Sequence, residues 1–218
     1  MPKGRLEAFS DGVIAILITI MVLELHTPVG TSWHALGHEL PVLLAYALSF
    51  VYLGIYWNNH HHMLAAVSRV TGAGMWANLH LLFWLSLIPF STAWMSEHRF
   101  PPIPTAVYGI VLLCAAIAYL ILQTQLLRGE GEQSVLRTAL GADLKGKISP
   151  LFYCLGIGLS FVDTWLALAA YVGVALMWLV PDRRVERHVS TTPQSRVNRP
   201  GRRETSADTV SSPAEPDS

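Results

Sequence analysis

The chain has 218 residues, of which 52% are apolar and only 14% charged, with a mean hydropathy of +0.40 and zero formal net charge. Soluble domains carry about 25% charged residues, so this composition excludes an ordinary water-soluble globule and points to lipid as the solvent. Zero net charge argues against a nucleic-acid partner. Two cysteines, Cys114 and Cys154, both inside apolar runs, leave no disulfide framework.

Six apolar segments follow one another, at roughly 5–25, 40–66, 72–95, 104–127, 147–162 and 164–180. A helix rises about 1.5 Å per residue, so about 20 residues cross a hydrocarbon core of about 30 Å. The first four segments reach that length. The first is read as a retained span, because "HTPVGTSW" after it has no small-x-small cleavage site. Pro89 in "SLIPFSTAW" marks a kink in the third. The last two are shorter and parted only by "VDT". They read as a helical hairpin, with Asp163 or Thr164 capping its second helix. The expected fold is all-α, with six transmembrane helices in a domain spanning 1–182.

Lys and Arg set the orientation. With both termini cytoplasmic, only Arg99 among the 15 Lys and Arg residues falls on the outer side. The segment 183–218 is basic, rich in Ser, Thr and Pro, and has almost no large apolar residues. It is expected to be a disordered cytoplasmic tail. The loop between the fourth and fifth segments has a middle suited to a short amphipathic helix.

The first segment, "RLEAFSDGVIAILITIMVLEL", puts charges beside an apolar run. On a helical wheel with Ile16 at zero, Ile20 falls at about +40°, Leu23 at about −20°, Gly12 at about −40°, Thr19 at about −60° and Phe9 at about +20°. Asp11 lies at about −140° and Ser10 at about +120°. A carboxylate deep in lipid costs about 2.5–3.5 kcal/mol, so Asp11 is expected to face protein. The apolar stripe faces lipid, another helix or a pore axis. "YWNNHHHML" and "MWANLHLLFWLSLIPF" end and begin at the same depth as Asp11. They offer Trp57, Asn58, His60, His61, Trp76, Asn78 and His80 as partners for a polar cluster around Arg5 and Asp11.

No metal site is expected. Three adjacent histidines point about 100° apart on a helix and cannot converge on one ion, and no H-E-x-x-H pattern, two His at i,i+4 with a carboxylate between them, is present. No phosphate loop, nucleophile elbow or intramembrane carboxylate pair is present, so neither an enzyme nor a cofactor is indicated. A secondary transporter would show broken helices and charges lining a midplane cavity, and a non-conducting scaffold is the other alternative.

The opening stretch resembles a family signature. "RLEAFSD" matches the RxxxFSD motif of the transmembrane protein 175 family of potassium channels, with Arg5, Phe9, Ser10 and Asp11 at its fixed positions. "VIAILITIMVLEL", "YWNNHHHM" and "WANLHLLFWLSLIPFSTAW" are also similar to that family, over roughly residues 5–180. The resemblance implies a cation channel of a prokaryotic cell membrane, without a P-loop filter. It implies a homotetramer with first helices lining the pore, no small-molecule substrate, and potassium as the permeant ion. It implies Ile16, Ile20 and Leu23 as the hydrophobic constriction, Thr19 as a selectivity position and the RxxxFSD residues as structural. Weak selectivity or proton permeation are the alternatives within the family. Glu24 near the outer mouth is either a concentrator of cations or a plain interfacial residue.

Overall fold

The computed structural model describes residues 3–130 and 144–179. The tail 183–218 and the middle of the loop after the fourth segment lie outside the described residues. The described residues are helical and contain no strand. The helices are α1 (Lys3–Leu23), α2 (Trp33–Ala65), α3 (Gly72–Ser86), α4 (Ile88–Glu97), α5 (Pro102–Glu130), α6 (Leu144–Leu159) and α7 (Thr164–Leu179). Four runs are long and apolar enough to cross a membrane: α1, α2, α3 with α4, and α5. The pair α6 and α7 supplies two shorter apolar helices.

Two elements differ from the hydropathy reading. α2 starts at Trp33, several residues before the apolar run, because the Ser32 side chain accepts a hydrogen bond from the Ala35 amide at 3.2 Å and caps the helix. At 33 residues it is about 50 Å long, so it is tilted or projects beyond the hydrocarbon. The third span is two helices, not one kinked helix. The Leu87 amide turns back to the Trp84 carbonyl at 3.2 Å, and Pro89 sits in the first turn of α4. Proline is tolerated there because its missing N–H would have had no helical partner.

The hairpin forms as the sequence indicates. Asp163 Oδ1 accepts from the Trp165 amide at 2.8 Å and caps α7. Beyond the hairpin, α5 is the centre of the bundle, packed on α3, α4, α6 and α7. Its Tyr108, Leu112, Ala115, Ala118 and Leu122 are fully buried, at spacings of three and four. Tyr171 of α7 lies in a slot between Gly109 of α5 and Gly156 of α6, where no Cβ would fit. Its hydroxyl donates to the Thr105 carbonyl at 3.3 Å, and its own carbonyl accepts from Tyr52 at 2.6 Å. This lock ties α2, α5, α6 and α7 together. By contrast only 28% of the α1 span is buried, against 56% of the α5 span. α1 is therefore a peripheral helix of the single chain, with most of one side uncovered.

Candidate pore helix and its anchoring cluster

α1 has one buried side and one open side. Leu6, Ser10, Ile14, Leu17 and Met21 are buried at spacings of four, four, three and four. This is the period of one helix face, and it packs on α2 and α3. On the other side stand Phe9, Ile16, Ile20 and Leu23, with Ile16 57% and Leu23 81% exposed. Gly12 and Thr19 are exposed among them. The Thr19 hydroxyl donates to the Ile16 carbonyl at 2.8 Å. Its hydrogen is thus turned back to the helix, and its oxygen keeps acceptor capacity.

A hydrogen-bond chain fixes the buried side. His60 of α2 pairs through Nε2 with Asn78 Oδ1 of α3 at 2.7 Å. Asn78 Nδ2 donates to Ser10 Oγ at 2.9 Å, and the Ser10 hydroxyl donates to the Leu6 carbonyl at 2.9 Å. His60, Asn78 and Ser10 are all completely buried. The directions follow from the groups: an amide oxygen can only accept, so Nε2 carries the imidazole proton. Three helices are joined through three side chains, with every polar atom of Asn78 that faces Ser10 or His60 in use.

A second set of contacts joins the flank of α1 to α2. Lys3 Nζ donates to the carbonyls of Ala65 at 3.0 Å and Val67 at 2.9 Å, where α2 ends. Glu7 pairs with His61 Nδ1 at 2.9 Å. Trp57 Nε1 donates to Asp11 Oδ1 at 3.0 Å. Each step of four up α1 meets a step of four back along α2, so the three contacts form the rungs of an antiparallel ladder. The indole of Trp57 stacks on the ring of His61, which links two rungs. Lys3 also places a positive charge on the C-terminal carbonyls of α2, where the helix dipole favours it.

The structure thus brings Ser10, Asp11, Trp57, His60, His61 and Asn78 together. It does not bring in Trp76, which is 75% exposed, nor Asn58, also exposed. His80 accepts from Trp84 on its own helix at 2.9 Å. Arg5 is exposed on the same side as Ile16, and no hydrogen bond or ion pair engages it among the described residues. Phe9 is likewise on the open side. Lys3 and Glu7 belong to the ladder although their sequence context did not single them out. The signal was present in the matched spacing of Glu7 and Asp11 with Trp57 and His61, four apart on both helices.

A family model described as the endosomal/lysosomal potassium channel TMEM175 matches residues 5–89. A protein of Chryseobacterium named as a potassium channel is 55% identical over 187 residues, which cover 86% of this chain and 97% of that protein. The chain belongs to the TMEM175 family. A Streptomyces collinus protein, also named as a potassium channel, is 37% identical over 188 residues, covering 81% of this chain and 91% of its own. The crystal structure of a TMEM175 homolog from Chamaesiphon minutus, described as a lysosomal potassium-selective channel, superposes with a TM-score of 0.73 at 30% identity. That match covers 84% of this chain and 97% of the homolog. The segment matched by the TMEM175 model contains every residue of the hydrogen-bond chain, and the Glu7 and Asp11 rungs of the ladder.

Proposed function

We propose that this TMEM175 member is a potassium-preferring cation channel, in which four copies surround an axis lined by the open side of α1. The carrying observation is the exposed apolar stripe Ile16, Ile20 and Leu23 on a helix whose opposite side is held by a buried polar chain. In a membrane protein such a stripe meets either lipid or a shared axis. Membership of a family whose relatives carry potassium-channel names supports the shared axis.

Four copies of Ile16 form a ring across the conduit. A narrow apolar ring closes by dewetting, because an ion entering it gives up hydration and gains no ligand. Widening the ring rehydrates it and opens the path. Potassium is more weakly hydrated than sodium, so a dehydrating constriction favours it. Thr19 contributes an oxygen to the same face, one turn beyond Ile16. Ser10 and Asp11 take no part in conduction in this reading and orient the helix, whereas Arg5 and Phe9 stand on the open side at its cytoplasmic end. The channel lies in a prokaryotic cell membrane with both termini cytoplasmic. This places the ladder at the inner end and Glu24 at the outer end. No chemical step and no cofactor enter the mechanism.

The test is current through the purified protein in planar bilayers, with potassium on one side and sodium on the other. Unitary currents reversing toward the potassium equilibrium potential support the proposal. Slow saturating flux indicates a transporter, and no current indicates a scaffold. Ile16→Asn hydrates the ring and raises the current at least several-fold. A current unchanged by that substitution overturns the pore assignment.

A further inference from the structure

The far end of α2 from the ladder carries a histidine pair that ion conduction does not use. His34 and His38 stand four residues apart near the start of α2, both exposed. Their ring centroids are 5.4 Å apart and their planes cross at 62°. Side chains at i and i+4 lie above one another on a helix. Two imidazoles at this spacing are the arrangement by which a metallopeptidase helix grips zinc. Neutral imidazole is a good ligand for zinc, nickel and copper. Among the described residues no group of three His, Cys, Asp or Glu gathers to hold a metal. The pair therefore leaves coordination positions to water, and the ion is exchangeable rather than structural.

His38 already has a partner. Arg99 Nη2 donates to His38 Nδ1 at 2.7 Å. A guanidinium only donates, so Nδ1 is the acceptor and Nε2 carries the proton. A metal ion at Nδ1 displaces the guanidinium directly. An ion at Nε2 requires the proton to move to Nδ1, which removes the acceptor that Arg99 uses. Arg99 and a metal ion are therefore mutually exclusive on His38. Arg99 belongs to the turn between α4 and α5, where Arg99 and Phe100 have φ of 58° and 61°. Both are in the left-handed region, which a residue with a Cβ adopts only under strain. The Arg99 contact to α2 is one of the bonds that hold this turn.

We propose that His34 and His38 bind one divalent transition-metal ion, such as zinc or nickel, and that its arrival frees Arg99 and loosens the α4–α5 turn. The test uses the full chain, purified and stripped of any affinity tag, titrated calorimetrically with zinc chloride and with nickel chloride. One site per chain is expected. His34→Ala with His38→Ala weakens it at least tenfold, with the elution profile unchanged. Arg99→Gln removes the competitor and tightens the site several-fold. Arg99→Gly does the same in a form that accepts a positive φ, should the glutamine variant fold poorly. Amide exchange at residues 97–100 accelerates on adding zinc to the wild type but not to the double histidine variant. Absence of binding, or binding untouched by the double variant, overturns the site. An affinity unmoved in both Arg99 variants, or exchange at 97–100 that ignores zinc, overturns the linkage.

Discussion

The buried chain from His60 through Asn78 to Ser10 makes a quantitative prediction. Asn78→Ala removes both bonds and leaves the His60 Nε2–H without an acceptor in a completely buried site. A stranded buried donor costs about 1–3 kcal/mol. The lower half of that range is favoured, because hydrogen bonds between membrane helices average about 0.6 kcal/mol when the unfolded reference stays in the bilayer. Ser10→Ala strands the Asn78 amide instead, by a similar amount. The two losses overlap, because both variants break the Ser10–Asn78 bond. The double variant is therefore less destabilised than the sum of the singles, with a coupling of about 0.5–1.5 kcal/mol. For a chain of this size 1 kcal/mol moves Tm by roughly 2–4 °C. Each single variant should melt about 2–8 °C below wild type, followed by intrinsic fluorescence or by loss of the oligomer peak on heating. Strict additivity, or a neutral Asn78→Ala, would refute the account of these side chains as one joined unit.

Two further outcomes follow from other parts of the bundle. Gly109→Ala puts a methyl where the Tyr171 hydroxyl and Ile157 already lie. It should cost about 1–3 kcal/mol by overpacking, seen as a lower Tm, whereas alanine at Gly12, with nothing near its position, should leave Tm within about 2 °C of wild type. Thr19→Val keeps the shape of the side chain and deletes its oxygen. Reversal potentials should show reduced potassium preference with unitary current retained, and an unchanged preference would remove Thr19 from the selectivity reading.

Hydropathy alone located all the apolar spans, because lipid imposes a length and a polarity that a window average registers. It missed the first turns of α2, where "WHALGHEL" is mixed in polarity and the helix is started by the Ser32 cap instead. It also read Pro89 as a kink, although a proline in a first turn starts a new helix. The wheel separated the Asp11 side of α1 from the Ile16 side correctly. It could not say which neighbour each side meets. Part of that was recoverable: Trp76 and Asn78 lie about 200° apart on a helix, so only one of them can face α1, and the smaller polar residue does. By the same geometry His60 and His61 serve different partners, Asn78 and Glu7. The place of Arg5 was not recoverable, since among the described residues no hydrogen bond or ion pair engages it.

Among the described residues the polar rungs between α1 and α2 stop at Asp11, and beyond it α1 meets its neighbours through apolar side chains, Ile14, Leu17 and Met21 with Val13 and Ile18 beside them. Hydrogen bonds resist sliding and rotation; greasy contacts resist them far less. α1 is accordingly a cantilever, clamped at the Lys3 end. Leu23 is about 18 Å from the clamp and Ile16 about 7.5 Å. A swing of about 5° then carries Leu23 through roughly 1.6 Å but Ile16 through only about 0.7 Å. Whatever force reaches this helix is converted into displacement that grows along its length, so the outermost apolar residues travel farthest and Ile16 is adjusted most finely.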